Sequence, residues 1–144
     1  MSQNTFKKIL VPLDGSPNSM RGLNTAILLA KQSGGAITGL YVISSSGFSK
    51  APSLLKKYRK ELIKNAEKIM FQARSNTIKN NVEFDAKIIT SPGIVKTIAG
   101  FAKSKRFDMV VMGSRGQSSP DARYLGSVAN GVLHILEVPV LIVK

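Results

Sequence analysis

The chain has no cysteine in its 144 residues. Disulfides, thiol nucleophiles and thiolate metal sites are therefore excluded. Histidine is almost as scarce. His134 stands alone, between Leu133 and Ile135 in a helix-like stretch, and reads as a structural or surface residue. A histidine-rich metal centre within one chain is ruled out, and a catalytic reading has little to build on. Long apolar runs are missing too. No stretch reaches the ~18 to 20 residues of a membrane span. The opening MSQNTFKKILVPLDGS has only five apolar residues between its lysines and Asp14, too short for a secretory core. These missing signals make the cytoplasm the expected location. Neither the P-loop pattern G-x4-G-K-[ST] nor the dinucleotide pattern G-x-G-x-x-G occurs.

Acidic residues are few: 8 against 21 lysines and arginines, for a net charge of +13 and a pI near 10.3. The imbalance is concentrated. Residues 49–79 hold nine bases (Lys50, Lys56, Lys57, Arg59, Lys60, Lys64, Lys68, Arg74, Lys79) and only Glu61 and Glu67. A basic face attracts nucleic acid, anionic lipid or polyanionic metabolites. It is also what a solvated helix face looks like. The segment lacks the regular interleaving of aromatics that stacks on bases, which favours the solvated reading.

What is present fits one domain spanning 1–144. Hydrophobic content of 43% is that of a folded chain. KKILVPL (7–13) is a short apolar run of the kind buried on both faces of a sheet. Ser16 and Pro17 offer an N-cap and a first helical residue; Met20, Leu23, Ile27 and Ala30 follow at helical spacing, and Gly34-Gly35 ends the helix. AITGLYVI (36–43) predicts a second strand. Residues 53–79 predict a long amphipathic helix with Leu55, Tyr58, Leu62, Ala66, Ile69 and Ala73 inward. A third strand is expected over 83–89, then a helix with Ile94, Val95, Ile98, Ala99 and Ala102 inward. A fourth strand is expected over 108–112, a helix over 126–136 and a fifth strand over 138–143. Strand and helix alternate throughout, which implies a parallel sheet covered on both faces through right-handed crossovers.

In such a sheet, ligands bind beyond the carboxyl ends of the strands, where strand order reverses. Two loops matter: Leu13-Asp14-Gly15-Ser16 after the first strand, and 113–125 after the fourth. Glycines there allow positive φ and close approach of a ligand to backbone. Gly126-Ser127 opens a helix whose free N–H groups and positive dipole end favour phosphate. Asp14 either accepts hydrogen bonds from ribose hydroxyls or serves as a turn residue. Ser33-Gly34-Gly35 lies at a helix end rather than after the first strand, so it is not read as a pyrophosphatase loop.

The spacing G-x2-G-x9-G-S from Gly113 to Ser127 resembles the ATP-binding branch of the universal stress protein family. The resemblance covers the whole chain, through ILVPLDGSPNS (9–19), FDMVVMGSRG (107–116), GSVANGVL (126–133) and VPVLIV (138–143). It implies a Rossmann-like three-layer α/β/α sandwich with a five-stranded parallel sheet in the order 3-2-1-4-5. It implies a homodimer through strand five (138–143), and an exposed apolar edge strand independently invites self-pairing. It places Pro12, Asp14 and Val42 at adenine and ribose, and Met112, Gly113 and Gly116 around ribose and phosphates. Gly126, Ser127 and Val128 would hold phosphates. Arg115 either approaches phosphate or stands solvated in the loop. The implied ligand is ATP, or ADP or AMP, with Mg²⁺ as companion; Asp121 faces solvent or helps hold that cation. One departure stands out: Ala129 replaces a small hydroxyl residue frequent in ATP-binding relatives. That removes a phosphate hydrogen bond worth ~1.5 to 3 kcal/mol when well formed. Three functions follow in order: a nucleotide-binding stress regulator, an interaction module whose basic helix takes a polyanion, and a weak ATPase or autophosphorylating protein.

Overall fold

A computed structural model describes residues 6–45, 52–115 and 125–144, with the side chains of 52–55 outside that description. The elements run β1 (Lys8–Pro12), α1 (Pro17–Ser33), β2 (Ala36–Ser44), α2 (Pro52–Lys79), β3 (Phe84–Ser91), α3 (Ile94–Ser104), β4 (Met109–Gly113), α4 (Ser127–Ile135) and β5 (Val140–Val143). Five strands form one sheet in the order β3-β2-β1-β4-β5, every pair parallel. This is the Rossmann-like α/β arrangement expected from the sequence.

β1 is the central strand because its side chains have apolar company on both faces. Ile9, Leu10 and Val11 are fully buried, each such burial being worth roughly 1.5–3 kcal/mol. Alternation sends Ile9 and Val11 to one face, with Leu23, Ile27 and Ala30 of α1 and Met70 and Ala73 of α2. Leu10 goes to the other, with Ile98 and Ala102 of α3 and Val132 of α4. So α1 and α2 form one outer layer and α3 and α4 the other.

Local chemistry sets the helix ends. The Ser19 amide donates to Ser16 Oγ at 3.2 Å, Pro17 opens α1, and Gly34 closes it at φ 71°, in the left-handed region. α1 lies unusually close to β4. A Cβ on Gly22 would sit 3.2 Å from the Gly113 nitrogen, and one on Gly113 would sit 2.7 Å from the carbonyl carbon and oxygen of Asn18.

Several expectations shift, β3 among them, which runs on to Ser91. α2's inner face is Ala66, Met70, Ala73 and Thr77, while Tyr58 is 52% exposed. A 28-residue helix is about 42 Å long, whereas the nine residues of β2 span about 30 Å, so the first turns overhang the sheet. β5 starts at Val140 rather than Val138: Pro139 accepts a bond from the Val110 amide but has no N–H to return. β4 starts one residue late, because Asp108 turns its carboxylate to the amides of Lys7 and Lys8, at 3.0 and 2.7 Å.

Candidate functional site

β1 is flanked by β2, whose crossover leaves in one direction, and by β4, whose crossover leaves in the other. The loops beyond Pro12 and Gly113 therefore part above the sheet, and a cleft of about 310 Å³ lies between them. One wall is apolar: Leu40 and Val42 from β2, Ile94 and Ile98 from α3, and Met112 from β4. The other is polar or backbone: Asp14 and Ser19 beside β1, Gly113 and Arg115 after β4, and Gly126 to Ala129 at the start of α4.

Each polar element is held in place. Gly15 takes φ 81°, which turns the chain after β1, and Asp14 Oδ1 accepts from the Ser16 amide at 2.9 Å. The Asp14 amide donates to Ser19 Oγ at 3.4 Å, and Ser19 Oγ donates to the Ser16 carbonyl at 3.0 Å. The Asp14 carboxylate is thus fixed at the cleft by the same residues that cap α1. Its charge reaches Tyr41: burial, then the negative field of Asp14, push the Tyr41 hydroxyl above its ordinary pKa, while a hydrogen bond with Asn65 of α2 works the other way.

α4 is brought to the end of β4 by backbone bonds. The Gly126 amide donates to the Ser114 carbonyl at 2.7 Å, and the Ser114 amide to Val143 at 2.8 Å. Ser114 Oγ accepts from Asn18 Nδ2 at 3.3 Å, tying the loop to α1. The α4 N-cap, Gly126, makes no side-chain hydrogen bond, and the first turn holds no acidic residue. Its N–H groups and positive dipole end therefore meet the cleft with no carboxylate from the first turn of α4 itself, the arrangement that suits an anion. Ser127 is exposed beside them.

Over residues 5–144 the chain matches the family model described as the universal stress protein family. The chain belongs to that family. The universal stress protein MJ0531 of Methanocaldococcus jannaschii is 32% identical over 154 aligned positions, covering 99% of this chain and 84% of that one. Among solved structures, the universal stress protein UspA of Lactobacillus plantarum superposes with a TM-score of 0.87 at 22% identity, over 97% of this chain and 99% of that one. The universal stress protein of Archaeoglobus fulgidus, solved in complex with dAMP, superposes with a TM-score of 0.74 at 23% identity, over 96% and 98% of the two chains.

In this universal stress protein, Pro12, Asp14, Val42, Met112, Gly113, Arg115, Gly126, Ser127 and Val128 all line the one cleft. Gly116 and Asp121 lie outside the described residues. Gly113 corrects the reason for its glycine: its φ is not positive, and the space a Cβ would need is filled by the Asn18 backbone. Only its backbone faces the cleft. Leu40, Ile94 and Ile98 line the cleft without having been singled out from the sequence. At their helical or alternating spacing they read as ordinary core, and Leu40 and Ile98 are 1% and 2% exposed; only the divergence of two loops brings a cleft up to them. Ala129, which has no hydroxyl to offer a phosphate, is in the lining and 2% exposed.

Proposed function

We propose that this universal stress protein binds an adenine nucleotide, ATP in the first place, and that its bound and free forms present different surfaces to a stress-response partner. The observation that carries the reading is the pairing, within one cleft, of an apolar wall with the uncapped start of α4. A base packs on Leu40, Val42 and Met112; a ribose hydroxyl donates to Asp14; phosphates meet the amides of Gly126, Ser127 and Val128. The volume lies at the lower end of the roughly 300–1,000 Å³ of small-molecule pockets. The similar Archaeoglobus protein holds dAMP, whose base and phosphate are the groups this cleft separates. Mg²⁺ enters on the phosphates: magnesium keeps most of its waters and needs one or two carboxylates, not a protein cage. The proposal is one of binding, with hydrolysis secondary to it. A cytoplasmic location and a homodimer through β5 belong to the same reading.

Ser127→Asp tests it. A carboxylate in the first turn of α4 stabilises the helix by about 0.3–1 kcal/mol but sits where the phosphates bind. Calorimetric titration with ATP and Mg²⁺ should show affinity falling at least about tenfold, equivalent to ~1.4 kcal/mol, with thermal stability unchanged or higher. Unchanged affinity would remove the phosphates from α4, and no binding by the wild type at millimolar nucleotide would end the proposal.

A further inference from the structure

α2 carries eight cations, Lys56, Lys57, Arg59, Lys60, Lys64, Lys68, Arg74 and Lys79, against two carboxylates, and all eight are exposed. Along one flank of the helix, Lys57, Lys64, Phe71 and Ile78 recur every seven residues and so stand in line. Phe71 is 70% exposed and Ile78 51%. α1 lies alongside in the same layer, joined by Asn76 Nδ2 donating to Asn24 Oδ1 at 2.7 Å. It adds Leu28, 62% exposed, with Arg21 and Lys31 exposed on either side of it in sequence. Large apolar side chains therefore project from among lysines on the outer face of one helical layer.

We propose that the outer face of the α1–α2 layer docks on an anionic lipid bilayer. Charge complementarity selects the partner. Anionic lipids of a cytoplasmic leaflet attract clustered lysines near the surface, and a projecting phenylalanine or leucine enters the boundary between headgroups and acyl chains. Nucleic acid fits less well. Six of the eight α2 cations are lysines, point charges without the planar fork that reads bases. A duplex would also leave Phe71 and Leu28 nothing apolar to bury against. The inward face of α2 is already spent, since Ala66, Met70 and Ala73 are buried against the sheet. The helix therefore docks as part of the intact fold, through side chains, and the contact is reversible and screened by salt. Among the described residues no part of α2 lines the nucleotide cleft, so the two activities are separately readable.

The test is co-sedimentation of the full chain with unilamellar vesicles of phosphatidylcholine alone, or with about a third of phosphatidylserine. The expected result is partition onto the serine-lipid vesicles only, at about 0.1 M salt, and release at about 0.5 M. Phe71→Ser should lower partition about fivefold. The combined Lys57→Glu, Lys64→Glu and Lys68→Glu variant should lower it at least a hundredfold, roughly. All four positions are exposed, and both variants should keep the wild-type circular dichroism and ATP titration. Three results would overturn the proposal: no dependence on the anionic lipid, partition that survives both variants, or salt-sensitive retention on duplex DNA or an acidic protein with none on vesicles.

Discussion

At the residue scale, the glycines show how one amino acid carries different constraints. Gly15 and Gly34 are needed for positive φ, and a turn residue just past a strand or helix signals that in sequence. Gly113 and Gly22 are needed because α1 and β4 pack backbone to backbone. That contact joins residues about ninety apart in sequence and has no local signature. Gly113→Ala would press a Cβ to 2.7 Å from the Asn18 carbonyl, which moves only if α1 moves. Urea unfolding should show a loss of about 1–3 kcal/mol. Gly100 is the counterpart. It lies exposed within α3, where an added Cβ meets nothing within 4 Å. Gly100→Ala should therefore gain about 0.5–1 kcal/mol from helix propensity. If the two substitutions had equal effects, the close approach of α1 to β4 would be wrong. The cleft residues Asp14, Met112 and Ser127 were legible because motif and strand end coincide there. Ile94 and Ile98 were not, because a cleft wall and a core face have the same spacing.

At the element scale, most boundaries followed from caps and periodicity. Ser16-Pro17 and Gly34 bracket α1 as read. The misses have geometric causes: Tyr58 faces solvent because α2 outruns the sheet, and β5 is shortened by Pro139. Tyr41 joins three elements, lying on β2 with Asn65 of α2 and Asp14 of the β1 loop acting on its hydroxyl. No periodicity reveals that meeting. It has a pH consequence. Burial and Asp14 raise the folded-state pKa above the ordinary value of 10.0, so on raising the pH the unfolded chain loses this proton first. By linkage the Tyr41 contribution is fully present below the unfolded pKa and is lost as pH climbs through the folded one. The urea midpoint should therefore fall more steeply above pH ~10 in the wild type than in Tyr41→Phe. Parallel curves would show that Tyr41 ionises alike in both states.

At the scale of the whole molecule, the strand order was legible from the family resemblance, since alternation of elements gives a parallel sheet but not its order. Assembly is one step further, because a single chain shows only what it leaves uncovered. The two sheet edges differ. β3 exposes Asp85 and Lys87, charges that discourage pairing with another strand. β5 is VLIV, with no charge, and Leu141 is 37% exposed on it. A two-fold contact between β5 strands would cover this edge. Sedimentation equilibrium at micromolar concentration should give twice the chain mass of 15.5 kDa, and Leu141→Lys should return it to the monomer. Salt supplies a second reading. Each copy carries +13, so the two repel, and screening should tighten the dimer. The same screening weakens attraction to an anionic bilayer. Raising ionic strength should therefore move the two equilibria in opposite directions. A dimer that dissociates with salt would place its interface on charged residues and away from β5.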